Sequence, residues 1–300
     1  MTTARFGSAF AQRLVALGCV GVVLWTLAPI AWISLASLQT ERDIIQVPPY
    51  WVPRAMTLDN YGYIFTGRIP QAMVSAGASS GSRISQEARR LLRAVGNSFI
   101  VATLVGAGNL LVAVPASYAL SRFHFRGSSW YETLIILSRL IPIPAIAIPY
   151  YLMVSKANLV DTHLALVLIH LALTLPIVTW FLAGYFRDFP RSLEEAAALD
   201  GCSTLRIMTR ILVPLAVPGL MASAALAFMT SYSEFFFALL VTQTIRAQTA
   251  PVILAAIGNN QDVSLALIAV STVIAIAPIA VITLAFRHYI VRGYTIGVEK

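Results

Sequence analysis

Six runs of apolar residues, each long enough to cross a bilayer, limit what this chain can become. A hydrocarbon core about 30 Å thick needs about 20 mostly apolar residues per helix. The 300-residue sequence supplies such runs at about 14–38, 97–121, 130–155, 159–184, 215–240 and 264–290. Only 11% of its residues are charged, against roughly one-quarter in soluble domains. The expected class is therefore an all-α membrane protein with six transmembrane helices. No composition shift divides the chain, so residues 1–300 are expected to form a single transmembrane domain. The first run follows Arg5 and Arg13 as a signal peptide would. It exceeds the roughly 7–15 apolar residues of a cleavable segment and lacks a cleavage site, so it reads as a retained span.

Orientation follows from basic residues in short loops. With six spans both ends share one face, and that face holds Arg122, Arg126, Arg187, Arg191, Arg206 and Arg210. The opposite short loops hold Lys156 and Arg246, while Arg89, Arg90 and Arg93 beside the second run count the other way. The prediction is cytoplasmic termini, an external loop at 39–93 and a cytoplasmic loop at 185–214. The net charge of +8 is spread over loops, which suits topology and lipid headgroups and argues against nucleic acid as a partner. Cys19 and Cys202 fall in a span and a cytoplasmic loop, where no disulfide is expected.

The 39–93 connection carries Pro48, Pro49 and Pro53 and then a run of small residues from Ser75 to Ser82, a composition of irregular loop. From Arg83 to Arg93 the pattern changes: Ile84, Ala88, Leu91 and Leu92 share a helical face apart from the arginines, which predicts an interfacial amphipathic helix. Pro142, Pro144 and Pro149 in the third run, Pro176 in the fourth and Pro278 in the sixth each remove a helical hydrogen bond. In a bilayer the freed carbonyl must be met by a neighbouring helix or a wet cavity, and the third run is expected to be broken or bent.

Between the fourth and fifth runs stands a short charged segment, 192–201. Ser192 followed by Glu195 reads as a capping box, Glu194 and Glu195 favour the positive end of a helix dipole, Ala196 and Ala197 propagate the turn, and Gly201 after Asp200 ends it. Taken alone this is either a solvated connection or a rigid helix that needs a soluble partner. A second short helix follows from Ser203, with Arg206 and Arg210 one turn apart, before Pro214 and Pro218.

Several chemistries find no support. A nucleotide-binding loop needs Lys directly after Gly, whereas Lys156 follows Ser155 and Lys300 follows Glu299. Gly77, Ser79 and Gly81 match a nucleophile-elbow pattern but lie in a loop composition with no preceding strand. His163 and His170 are two turns apart with no third metal ligand evident, so hydrogen bonding within the bundle is the expected use and no metal site is expected. Two charges inside spans are different. Arg139 lies roughly 13 Å beyond the cytoplasmic start of the third helix and Glu234 roughly 28 Å into the fifth, counted at about 1.5 Å per residue. Each is a functional candidate by its cost in a bilayer. The alternatives are that Arg139 snorkels to a headgroup and that Glu234 sits at the outer interface.

The order of these features resembles the inner-membrane permease subunits of binding-protein-dependent ABC importers. Their signature loop reads Glu-Ala-Ala, three residues, Gly, nine residues, Ile, one residue, Leu-Pro. Here stand Glu195-Ala196-Ala197, Gly201, Ile211 and Val213-Pro214, with Val213 in place of Leu. Over most of its length the chain resembles the smaller permease of maltose-type sugar importers. The likeness includes Asn97-Ser98 opening the second span, the stretch from Tyr118 to Gly127 closing it, Ser233-Glu234-Phe235 in the fifth, and the tail from Arg292 to Lys300. It departs at Tyr232-Ser233, at Arg139 and in the long 39–93 loop.

The resemblance implies a non-catalytic permease of the bacterial inner membrane, working with a second homologous permease, two nucleotide-binding ATPase subunits and an extracytoplasmic solute-binding protein. No cofactor is expected in this chain, since ATP and Mg would be bound by the ATPase. The solute would be a sugar or polyol, with glycerol phosphate as the alternative. Ser192, Glu194, Glu195, Ala196, Ala197, Asp200 and Gly201 would form the helix that couples to the ATPase. Tyr232, Ser233, Glu234 and Arg139 would belong to the substrate path, and Gly258, Asn259, Asn260 and Gln261 would reach the binding protein. The competing classes are a stand-alone secondary transporter, disfavoured by the few intramembrane charges, and an intramembrane enzyme, for which no acid, base and nucleophile assemble.

Overall fold

Long apolar stretches with few breakers form long helices, and prolines decide where they bend. The computed structural model describes residues 9–48, 50–68, 81–123, 125–259 and 263–295. Among them the regular elements are helices: α1 (Ala9–Ala36), α2 (Glu41–Ile45), α3 (Asp59–Thr66), α4 (Gly81–Arg122), α5 (Ser128–Leu137), α6 (Ile143–Lys156) and α7 (His163–Arg187). There follow α8 (Ser192–Leu199), α9 (Thr204–Ile207), α10 (Val213–Leu215), α11 (Val217–Tyr232), α12 (Phe236–Val241), α13 (Ala250–Gly258) and α14 (Leu265–Thr295). Four helices are long and apolar enough to cross a membrane, within α1, α4, α7 and α14. Two bent pairs bring the number to six if each is one span.

The bends sit at the prolines. The third run is α5, a 3-10 turn at Ser138–Leu140 and α6, with a 94° bend, and Pro142 precedes the first turn of α6. At α10 and α11 the chain bends by 79° between Leu215 and Val217. Just before it, Met208–Leu212 forms a π-helical turn. Pro214 offers no N–H to the Arg210 carbonyl, and the wider turn accommodates that loss. The fifth run, expected over 215–240, is interrupted at Ser233–Phe235 and resumes as the short helix α12. The segment 83–93, expected as an interfacial amphipathic helix leading into the second span, is continuous with that span in α4. Nothing in its sequence breaks the helix there, and Leu91 and Ala94 are buried while Arg90 and Arg93 are exposed.

The chain forms two compact units, one of Met1–Arg89 with Ala256–Ile274 and one of Arg90–Ala255 with Ala275–Lys300. In the first, part of the 39–93 connection is pinned. The buried Asn60 amide donates to the carbonyls of Ser37 (3.1 Å) and Gln39 (2.8 Å), and Glu41 accepts the N–H groups of Leu265 and Ala266 at the start of α14. Trp51 packs on Trp32, ring centroids 4.9 Å apart. The small-residue run through residue 80 lies outside the described residues.

The core of the second unit lies between α4, α7 and α11, where Val114, Tyr118, Val178, Leu182, Tyr185, Phe186 and Leu220 pack together. Polar side chains tie the same helices: Asn109 donates to Thr174 Oγ1 at 2.7 Å and Ser117 to the Thr179 carbonyl at 2.8 Å. Such interhelical bonds hold helices together where lipid removes the hydrophobic drive for association. Side chains also reach the backbone beside the in-helix prolines. Pro176 and Pro278 cannot donate to the carbonyls of Ala172 and Ile274, and the neighbouring carbonyls, Leu173 and Ala275, accept from Arg139 and from the Tyr232 hydroxyl.

Close approach of α7 and α11 depends on Gly219. A Cβ there would stand 2.6 Å from Cε1 of Tyr185, whose ring is itself confined by Phe181 and Phe189. Gly219→Ala is expected to destabilise by about 1–3 kcal/mol through overpacking, visible as a lower melting temperature of the purified complex. Gly96→Ala, with nothing within 4 Å of its Cβ, should leave it unchanged.

Candidate functional site

The loop between α7 and α11 presents α8, and its backbone begins earlier than the sequence pattern suggests. The Pro190 carbonyl accepts from Leu193, and the Arg191 carbonyl accepts from Glu194 and Glu195. Ser192 is thus already the first helical residue, without the extended backbone an N-cap needs, and the expected Ser192–Glu195 capping box does not form. The exit does follow the pattern. Gly201 takes φ +80° while its N–H bonds the Ala198 carbonyl and the Cys202 N–H bonds that of Ala197, a Schellman motif.

One of the two glutamates is turned inward. Glu194 Oε1 lies 2.5 Å from Arg122 Nε, an ion pair off the N–H axis rather than an aligned hydrogen bond, and Glu194 Oε2 accepts the Tyr118 hydroxyl at 3.1 Å. Both charged side chains are largely buried, at 7% and 14% exposure. Arg122 Nη2 also donates to the Phe189 carbonyl at 3.2 Å, holding the chain just before α8. On the same loop, Arg187 pairs with Glu132 of α5. Ala197 is buried, whereas Glu195, Ala196, Asp200 and Leu199 are exposed, Leu199 at 90%. α8 is thus fixed at both ends and open along one face.

Further along α7 a second polar group forms. His170 pairs through Nδ1 with Ser231 Oγ (2.8 Å) and through Nε2 with Glu234 Oε2 (3.2 Å). Glu234 also accepts the N–H groups of Phe237 (2.9 Å) and Ala238 (3.1 Å), so its carboxylate caps α12. Bonding of His170 within the bundle agrees with the sequence reading. Of the other residues assigned to a substrate path, Tyr232 is buried, and Ser233 is exposed with its hydroxyl donating to the Met229 carbonyl. Arg139 and Glu234 do not pair, yet they touch α7 only three residues apart, at Leu173 and His170, or about 4.5 Å along its axis. Residue counts along straight helices had separated them by depth, and the 94° bend of the third run removes that separation.

Beyond α12, Asp161 holds the next segment. Its Oδ1 accepts the N–H groups of Gln243 (2.9 Å) and Thr244 (3.0 Å), and Oδ2 accepts the Thr244 hydroxyl. Burial alone would raise its pKa, but the Thr244 hydroxyl, the two N–H bonds and the nearby Arg246 charge hold it below the ordinary aspartate value. The ionised form that holds the segment therefore persists until pH falls through that lowered value. Gly258 ends α13 and is exposed, as is Asn259, while Asn260 and Gln261 lie outside the described residues. Among the described residues no three His, Cys, Asp or Glu gather as a metal site.

A family model for the inner membrane component of binding-protein-dependent transport systems matches residues 108–296. This chain belongs to that family. The permease is 31% identical over 271 residues to the sulfoquinovosyl glycerol transport system permease of Agrobacterium fabrum, covering 90% of this chain and 88% of the relative. It is 29% identical over 288 residues to the trehalose/maltose transport system permease of Thermococcus litoralis, covering 96% of each. Its fold matches a chain of a bacterial ABC transporter involved in import of the acidic polysaccharide alginate, with TM-score 0.73 and 19% identity over 95% of this chain and 99% of that one. The permease is a non-catalytic inner-membrane subunit that works with an ATPase carried by a separate chain and with a binding protein.

Sequence reading missed Tyr118 and Arg122 as partners of α8. The available signal was their spacing of four at the end of a span, which puts a hydroxyl and a guanidinium on one helical face. Glu234→Ala should lower the melting temperature of the complex, because it leaves two N–H groups and His170 Nε2 without their partner, at about 1–3 kcal/mol for each buried group. Glu234→Gln keeps one carbonyl acceptor and should fall between the two. Ser192→Ala should melt as wild type, since its hydroxyl caps nothing.

Proposed function

We propose that this permease passes a sugar or related polyol from an extracytoplasmic binding protein to the cytoplasm, driven by ATP and Mg bound on two partner ATPase subunits. In this reading it pairs with a second homologous permease, both termini are cytoplasmic, and α8 is the helix that docks into the ATPase. The sugar class is supported by the transport systems for which its relatives are named. The carrying observation is α8 itself, a short helix fixed at Glu194 and Gly201 with Glu195, Ala196, Leu199 and Asp200 left open. A rigid helix transmits a rotation that a loose loop would absorb, and the open face of α8 leaves room for a partner to dock. The 258–261 loop is assigned to binding-protein contact. The polar group at Ser233, Glu234 and Arg139 is assigned to the neighbourhood of the substrate path, with Glu234 shaping the helix break there.

The test is coupled transport in proteoliposomes containing the whole importer. Gly201→Pro should lower uptake about ten-fold or more at equal membrane abundance, because proline cannot adopt φ +80° and has no N–H to give the Ala198 carbonyl, so the turn that ends α8 is lost. Glu195→Arg should also lose uptake while ATP hydrolysis continues, and Glu195→Gln should be milder. Wild-type uptake in both Gly201→Pro and Glu195→Arg would refute the coupling assignment.

A further inference from the structure

Two polar groups on α4 hold other segments: Asn97-Ser98 in its middle, and Tyr118 with Arg122 at its C-terminal end, where they fix α8. The Asn97 amide donates to three carbonyls of one segment, those of Ile245 (3.2 Å), Arg246 (3.3 Å) and Gln248 (2.9 Å). Ser98 Oγ accepts the Ala250 N–H at 2.8 Å, at the first residue of α13. The middle of α4 therefore grips the 245–250 segment, and its C-terminal end grips α8 through Glu194. From Asn97 to Arg122 the helix advances 25 residues, about 38 Å, within one span from Arg90 to Arg122 that continues through Pro115.

We propose that α4 is a strut that carries movement of the coupling helix to the extracytoplasmic 245–250 segment, with Tyr118, Arg122 and Asn97 as its positioning residues. This rests on α8 being the coupling helix. Glu194 is held inward by α4, so of the two glutamates only Glu195 faces the ATPase. Any displacement of the first turn of α8 must either break a buried ion pair or move the end of α4. At the far end the Asn97 amide has two hydrogens shared among three carbonyls, so the segment cannot shift away from α4 without losing every one of them. Valines and alanines along the rod, among them Val101, Ala102, Val105 and Ala113, are fully buried or nearly so, and close-packed contacts pass a displacement on instead of absorbing it. The segment so moved opens α13, the helix that leads to Gly258 and the proposed binding-protein contact.

The experiment labels Gln243→Cys, an exposed side chain next to the gripped segment, in the full importer with its binding protein in nanodiscs, with Cys19 and Cys202 changed to Ser. The rate of reaction with a charged maleimide is compared without nucleotide and with ATP plus vanadate. The expected result is a nucleotide-dependent rate ratio of about five-fold or more, falling towards one in Asn97→Ala and in Arg122→Gln. Combining the two should lose no more than either, since both lie in one series path. Tyr118→Phe, which keeps the ring packing, should fall between. Should Arg122→Gln fail to assemble, Arg122→Lys in its place keeps the charge but not the geometry, and should still lose part of the ratio. A wild-type ratio retained in either Asn97→Ala or Arg122→Gln, or losses that add independently, would overturn the strut. If the strut alone is wrong, Gly201→Pro still abolishes uptake and the ratio. A ratio of one in the otherwise unaltered importer overturns the strut as well, and wild-type uptake by Gly201→Pro would then place the failure in the coupling reading itself.

Discussion

Inside a bilayer every backbone polar group must find a partner in the protein, and this requirement organises the permease. Where helices run straight they satisfy themselves. Where prolines or polar residues interrupt them, a side chain from elsewhere takes over: Arg139 at Leu173, Tyr232 at Ala275, and Glu234 at Phe237 and Ala238. The intramembrane charges that look like substrate groups in sequence thus serve first as partners for broken helices. The same economy appears along α4, where Asn97 serves three carbonyls and Arg122, its last residue, a carbonyl and a carboxylate.

The buried pair between Arg122 and Glu194 is expensive to form, because both ions leave water. Deleting one partner of such a pair typically costs about 3–5 kcal/mol, so the geometry is strongly enforced once made. A surface pair such as Arg187 with Glu132, at 43% and 26% exposure, contributes much less. The two pairs sit on the same loop and divide the labour: one fixes where α8 starts, the other trims the end of α7.

Much of this was legible from the chain. Apolar run length pointed to the long helices α1, α4, α7 and α14, Gly201 to the end of α8, and the prolines to the broken third run, because each acts through local chemistry. Ser192 misled because a capping box is defined by spacing alone, and Pro190 two residues earlier starts the helix first. Glu234 was readable as costly, but its partner His170 lies 64 residues away, and no periodicity links them. The break at Ser233–Phe235 was hidden for the same reason: hydropathy continues through it while the backbone does not. Tyr118 and Glu194 are separated by 76 residues, so their contact is a product of tertiary packing.

The wide turn at Met208–Leu212 has a geometric consequence of its own. A π-helical turn spreads its residues over more arc than an α-helical turn, so it shifts the angular phase of everything before it relative to everything after. Each residue of an ordinary helix advances the direction of its side chains by about 100°. A single inserted or deleted residue here would swing the outward face of α8 by about that amount around the axis of α9 and α10, which a 79° bend separates from α11. The turn acts as a phase setting between the open face of α8 and the bend that leads into α11.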